Sequence, residues 1–225
     1  MLPSSHIKDW LVWQVADSGF PSGGFVHSGG LEAAWQQAEV TGEEQLAGFI
    51  RASLTQTGRG ALPFVTAVHR EPGRFAEADR LSEAFITNHV ANRASRSQGR
   101  AFLVAVRCFP LPELARLENT IREQDLPCHF APAFGLACHF LGLERDTVAR
   151  LFLFLQLRAL MASAVRLGVV GPFQAQRIEY SLTAFAESVA ISSVGIGLDH
   201  IAQTAPILDL LQGTHDRLYS RLFRT

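Results

Sequence analysis

The segment Leu151–Leu167, LFLFLQLRALMASAVRL, decides the fold. It is the most apolar run in the chain, and it is long enough to suggest a membrane span. Yet it carries Gln156, Arg158 and Arg166, and charges near a bilayer centre are costly. No face of it is consistently polar, so the reading is a buried helix over 146–167 with the rest of the chain wrapped around it. Its two arginines must then be paired. Loop carbonyls, or acids such as Asp17 and Glu32, are the expected partners.

Outward from this segment, helical spacing recurs and alternating strand patterns are missing. Ile7, Trp10, Leu11 and Val15 fall on one helical stripe, as do Leu46, Phe49, Ile50 and Leu54. Thr41-Gly-Glu-Glu44 reads as a capping box opening the second of these helices. Further helices are expected near 61–71, 74–91, 92–107, 111–123, 131–141 and 173–202. Breaks are expected at Glu71-Pro-Gly73, Phe109-Pro-Leu-Pro112, Leu126-Pro127 and Gly171-Pro172. No repeat, low-complexity tract or long linker interrupts them. The expected fold class is all-α: one domain over 1–225, a bundle of about ten helices around the central apolar one.

Bulk properties narrow the function. The chain has 225 residues, 48% hydrophobic and only 18% charged. That length can bury a sizeable core, and so little charge suggests an apolar surface patch covered by a partner. A net charge of −1 argues against general nucleic-acid binding. The N-terminus MLPSSHIKDW lacks the pattern of a signal peptide. Three cysteines, Cys108, Cys128 and Cys138, form no C-x-x-C pair, which fits free thiols in a reducing cytosol. A soluble, cytoplasmic chain with neither nucleic-acid nor membrane partners is the expectation.

The glycine-rich stretch Gly19–Ala34, GFPSGGFVHSGGLEAA, invites three chemical readings. A phosphate loop needs lysine after G-x-x-x-x-G, but Gly30 follows Gly24-Phe-Val-His-Ser-Gly29. A hydrolase elbow needs G-x-S-x-G at a strand-to-helix turn, and neither Ser22 nor Ser28 sits in one. What remains is a turn at Pro21 and a helix cap at Ser28, with Glu32 in the first turn favoured by the helix dipole. Phe20, Phe25 and His27 are left without a local role. Elsewhere, the pairs Cys128-His129 and Cys138-His139 are separated by about 15 Å of helical rise, too far for one metal ion. No metal site or cofactor is assigned. Arg93, Arg96 and Arg100 share one helical face; they form a solvated surface or, in the more specific reading, supply an arginine to a partner's nucleotide. The segment 213–225, ending HDRLYSRLFRT, is too apolar to be a frayed end and reads as a docking tail.

Four segments in order carry a resemblance over essentially the whole length: QVADSGFPSGGFVHSGGLEAA at 14–34, NRASRSQG at 92–99, SAVRLG at 163–168 and SRLF at 220–223. Together they resemble the urease accessory protein F (UreF) family. Gly29 departs from the family, where an aromatic residue often lies between the serine and glycine. The resemblance implies a non-enzymatic, all-α homodimer serving nickel insertion and urease maturation. It implies a bridge between accessory protein D (also called H) and the nickel-carrying GTPase G, acting on apo-urease, with the nickel handled by the complex. Carried over as partner contacts are Asp17, Phe25, His27, Ser28 and Glu32 in the first segment and Arg221, Leu222 and Phe223 in the tail. Arg93, Arg96 and Gln98 are carried over for the GTPase side or the dimer. Two alternatives stand beside this: a regulator that speeds GTP hydrolysis through an arginine in trans, and a small hydrolase using His27 and Ser28.

Overall fold

A computed structural model describes residues 5–225, and every regular element among them is helical. The first is α1 (Ser5–Ala16), followed after the glycine-rich loop by the short α2 (Leu31–Gln36). Next comes α3 (Glu43–Gln56), which runs through a π-helical turn at Thr57–Ala61 into α4 (Leu62–Arg70). The chain continues with α5 (Phe75–Phe85), α6 (His89–Val106) and α7 (Pro112–Glu123). It ends with α8 (Phe130–Phe140), α9 (Arg145–Arg166), α10 (Pro172–Ser193) and α11 (Pro206–Gly213). The all-α bundle expected from the sequence is what forms.

The apolar segment is the central helix. α9 packs against α1, α2, α3, α4, α8 and α10, and buries Leu151, Phe152, Leu153, Leu155, Leu157, Leu160 and Met161. By length and composition it could cross a membrane; here its apolar surface is spent on neighbouring helices. Beside it lies an aromatic cluster in which Phe134 has its ring centroid 5.2 Å from that of Phe102 and 5.3 Å from that of Phe152. α8 fits between α4 and α6 because glycines allow it. A Cβ on Gly99 would run into the Cys128 carbonyl, and one on Gly135 into the Val65 carbonyl.

Several local expectations are corrected. The break expected at 91/92 falls at Ile86–Asn88, where the Asn88 side chain accepts from the amides of Val90 at 3.0 Å and Ala91 at 3.3 Å. This is an N-cap bond, and it sets the start of α6. The helix expected over 173–202 stops at Ser193, and only a 3₁₀ turn at Leu198–His200 follows the glycines at 195 and 197. The Thr41 capping box does not form; α3 begins on Gly42 with no side-chain cap. Nor does Ser28 cap α2. Gly30 holds that position at φ 87°, a left-handed conformation that glycine adopts without penalty. The Ser28 carbonyl instead accepts from Leu31 N–H at 3.2 Å.

Candidate functional site

The glycine-rich loop and the C-terminal segment, far apart in sequence, form one structure. Glu32 lies in the first turn of α2, buried, and its carboxylate faces the tail rather than its own helix end. It accepts from the amides of Leu222 at 2.5 Å and Phe223 at 3.2 Å, and from Nε2 of His215 at 3.1 Å. Two further backbone bonds extend the seam, from Arg224 N–H to the Val26 carbonyl at 2.9 Å and from Ser28 N–H to the Thr225 carbonyl at 2.7 Å. His27 Nδ1 bonds the Thr225 hydroxyl. Gln36 reaches the Ser220 carbonyl at 2.8 Å.

Arg166, at the end of α9, ties the two segments together. Its Nη1 donates to the Phe25 carbonyl at 2.6 Å, which meets the expectation of a loop carbonyl. The guanidinium carbon sits 4.0 Å from the Phe25 ring centroid and 4.1 Å from that of Phe223. Such contacts favour arginine over lysine, because the planar cation can lie over a ring while its N–H groups bond elsewhere. Arg158 feels the charges of Asp17 and Glu179, and the Asp17 carboxylate accepts from Gly19 N–H at 2.6 Å.

A second seam joins the tail to α6. Asp216 accepts from both terminal nitrogens of Arg93, at 2.8 and 3.1 Å. His89 Nε2 lies 3.3 Å from it and Arg221 Nη1 3.6 Å. The hydrogen-bonded Arg93 guanidinium holds the Asp216 carboxyl below the usual carboxylate range. Burial, reinforced by the charges of Arg224, Arg93 and His215, pushes His27 down to about 4, so its ring is neutral near pH 7.

The carried-over residues therefore divide. Ser28, Glu32 and Phe223 are buried against other parts of the chain, His27 is partly covered, and all four bind loop to tail. Phe25, Leu222 and Arg221 remain open to solvent, with Phe25 69% and Leu222 52% exposed. Tyr219, which the sequence reading passed over, is fully exposed beside them. Arg93, Arg96 and Gln98 lie on α6, where Arg93 pairs with Asp216 of the tail, Arg96 approaches Glu83, and Gln98 packs against the glycine-rich loop at Gly24. Gly29 has φ 61°, and a Cβ there would meet Leu160 of α9 at 3.2 Å. A side chain at this position would thus start toward the interior.

Behind the loop lies a partly open cavity of about 260 Å³, lined by residues of α3, α4, α5, α6, α8, α9 and α11. Ser28 Oγ, His27 Nε2 and Asp209 Oδ2, all buried and without a hydrogen-bond partner, belong to residues that line it. The cavity is roomy enough for water, and these three atoms offer it polar partners. His27 and Ser28 are not paired with each other as nucleophile and base.

One further cluster went unread in the sequence. His129 is buried, with Nε2 donating to Glu83 at 2.8 Å and Nδ1 3.0 Å from Ser95 Oγ. That is a serine–histidine–carboxylate chain, the order of groups used in acyl transfer. An acyl-transfer site also needs free amides aimed at a developing oxyanion. Here the adjacent amides of Cys128 and His129 donate to Asp79, at 2.8 and 2.6 Å. Ser95 Oγ is itself taken by Phe130 N–H at 3.2 Å. The cluster fastens the entry of α8 to α5 and α6. Cys128, just before α8, and Cys138, within it, are buried in the core, and burial pushes the Cys128 thiol up to about 12. Among the described residues no three His, Cys, Asp or Glu side chains gather closely enough to hold a metal ion.

The UreF family model matches residues 40–183. A urease accessory protein F of Oryza sativa subsp. indica is 38% identical over 221 residues, covering 96% of this chain and 85% of the relative. One of Arabidopsis thaliana is 36% identical over 228 residues, covering 99% and 95%. A urease accessory protein UreF of Mycobacterium tuberculosis is 29% identical over 214 residues, covering 95% and 97%. With a core matched by the family model and full-length relatives of one description, the chain belongs to the UreF family of urease accessory proteins.

Proposed function

We propose that this chain is a non-catalytic scaffold for urease maturation, bridging accessory protein D/H and the GTPase G while nickel is inserted into apo-urease. It works as a homodimer in the cytoplasm, and nickel is cargo of the complex rather than a resident of this chain. One observation carries the reading. The tail is fixed to the glycine-rich loop by Glu32 and Arg166, so that Tyr219, Leu222 and Phe25 project from an ordered base. Exposed aromatic and aliphatic side chains on a rigid support are what a protein partner buries. Trp10 and Trp13, edge-to-face at 5.1 Å on α1 and both exposed, add a second apolar patch.

Co-purification with the D/H and G proteins tests this. Tyr219→Asp with Leu222→Asp should abolish capture of the D/H protein while the far-ultraviolet circular dichroism stays unchanged. Undiminished capture would overturn the assignment of this surface. Stimulated GTP hydrolysis on adding the chain, lost in Arg100→Ala, would favour the arginine-in-trans reading instead. Arg100 is the candidate there, because no acid among the described residues pairs with it.

A further inference from the structure

An open groove of about 760 Å³ runs along α6 to the tail, lined by His89, Arg93, Arg96, Arg100 and Arg224. In a chain of net charge −1, four arginines on one groove are a strong local excess. Two acids meet it from within the chain. Asp216 is seated on Arg93 at one end, and Glu83 approaches Arg96 at 3.7 Å. Arg100 and the side chain of Arg224 have no acid partner among the described residues. The groove is therefore only partly neutralised.

We propose that this groove is a docking surface for an acidic segment of a partner protein, and that Asp216 is its internal stand-in, occupying the position of the first partner carboxylate. The spacing favours a peptide over a single phosphate group. Arg93, Arg96 and Arg100 are strung along one face of α6 over about 10 Å of rise, rather than converging on a point. Successive carboxylates of a segment lying along the helix can meet them one by one. Asp216 already displays the bidentate pairing that such a carboxylate would make. Because Asp216 belongs to the tail, an incoming carboxylate on Arg93 competes with one of the contacts that hold the tail to α6. Docking in the groove and freeing of that seam are thus coupled. The proposal goes beyond the scaffold reading and does not depend on which proteins the chain bridges.

The test is fluorescence anisotropy of a labelled eight-glutamate peptide on the full chain, at about 50 mM and about 150 mM salt. The wild type should bind, and more weakly at the higher salt. Arg96→Glu with Arg100→Glu should weaken binding by about tenfold or more. Arg122→Glu on α7, the same kind of charge reversal away from the groove, should stay within about twofold. Asp216→Asn, which removes the internal competitor, should tighten binding roughly fivefold. Inorganic phosphate should displace the peptide no better than sodium chloride of equal ionic strength. The proposal fails if the wild type does not bind, if Arg122→Glu matches the groove variant, or if Asp216→Asn binds no better. Specific displacement by phosphate would also overturn it, in favour of a point anion site.

Discussion

Replacing Glu32 by alanine isolates the clasp between loop and tail. The carboxylate accepts three hydrogen bonds, from Leu222 N–H at 2.5 Å, Phe223 N–H at 3.2 Å and His215 Nε2 at 3.1 Å. Bonds to a charged acceptor are worth about 1.5–3 kcal/mol each, but the three cannot simply be added. In Glu32→Ala the tail can lift away and give its amides to water. The loss is then limited to the free energy that docks the tail, in which burial of Phe223 contributes about 2 kcal/mol. Removing one member of a buried charged cluster typically costs roughly 3–5 kcal/mol. We therefore expect the opening free energy of residues 215–223 to fall by about 3–4 kcal/mol, or roughly 10²–10³ in hydrogen-exchange protection at the Leu222 and Phe223 amides. Trypsin should cleave sooner after Arg217 and Arg221. Global unfolding should shift less, since the packing around α9 is untouched. Glu32→Gln, which keeps one acceptor oxygen, should fall between the two. Protection at Leu222 and Phe223 within about threefold of wild type would refute the clasp.

Three other outcomes follow from the geometry. His27 has its pKa lowered from 6.5 to about 4 in the fold, so the unfolded chain takes up the proton first. Its contribution is complete above pH 6.5, declines as pH falls, and is fully lost below 4; urea melts at pH 7 and pH 4.5 should show about 2–3 kcal/mol less acid sensitivity in His27→Gln than in wild type. Gly99→Ala would drive a methyl into the Cys128 carbonyl; a cost of about 2–3 kcal/mol, or roughly 5–10 °C in calorimetric melting temperature, is expected. Arg166→Lys keeps the charge but loses the planar contact with Phe25 and Phe223; exchange at the Phe223 amide should rise by about fivefold or more, with little change in α9 amides.

How far the sequence could be read depended on distance along the chain. The central helix was legible because its apolarity is a local property, and α9 begins and ends within a residue of the expected 146–167. The link from Arg166 to a loop carbonyl was legible because an arginine on so apolar a helix must find an acceptor. The start of α6 was misplaced although its signal was present: Asn88 is a capping residue, but it lies inside a run with continuous helical spacing. Glu32 illustrates the other kind of miss. Its place in the first turn of α2 gave a sufficient local explanation, so nothing nearby hinted at its bonds to Leu222 and Phe223. The Asp79–His129–Glu83 cluster was hidden for the same reason, its members coming from α5 and the turn before α8. At the candidate site, the first motif and the tail were singled out separately, but their union was not.

That union also fixes an order of events during synthesis. Glu32 and the Leu222 amide are 190 residues apart in sequence, so the loop emerges from the ribosome long before the segment that completes it. Contacts of such separation form late. Until then Glu32 lacks its tail donors, and Tyr219 and Leu222 have no fixed base from which to project. A nascent or prematurely terminated chain can therefore fold around α9 and still lack the finished surface. The clasp serves as a completion mark, withholding a competent face from any copy that has not been made through the tail.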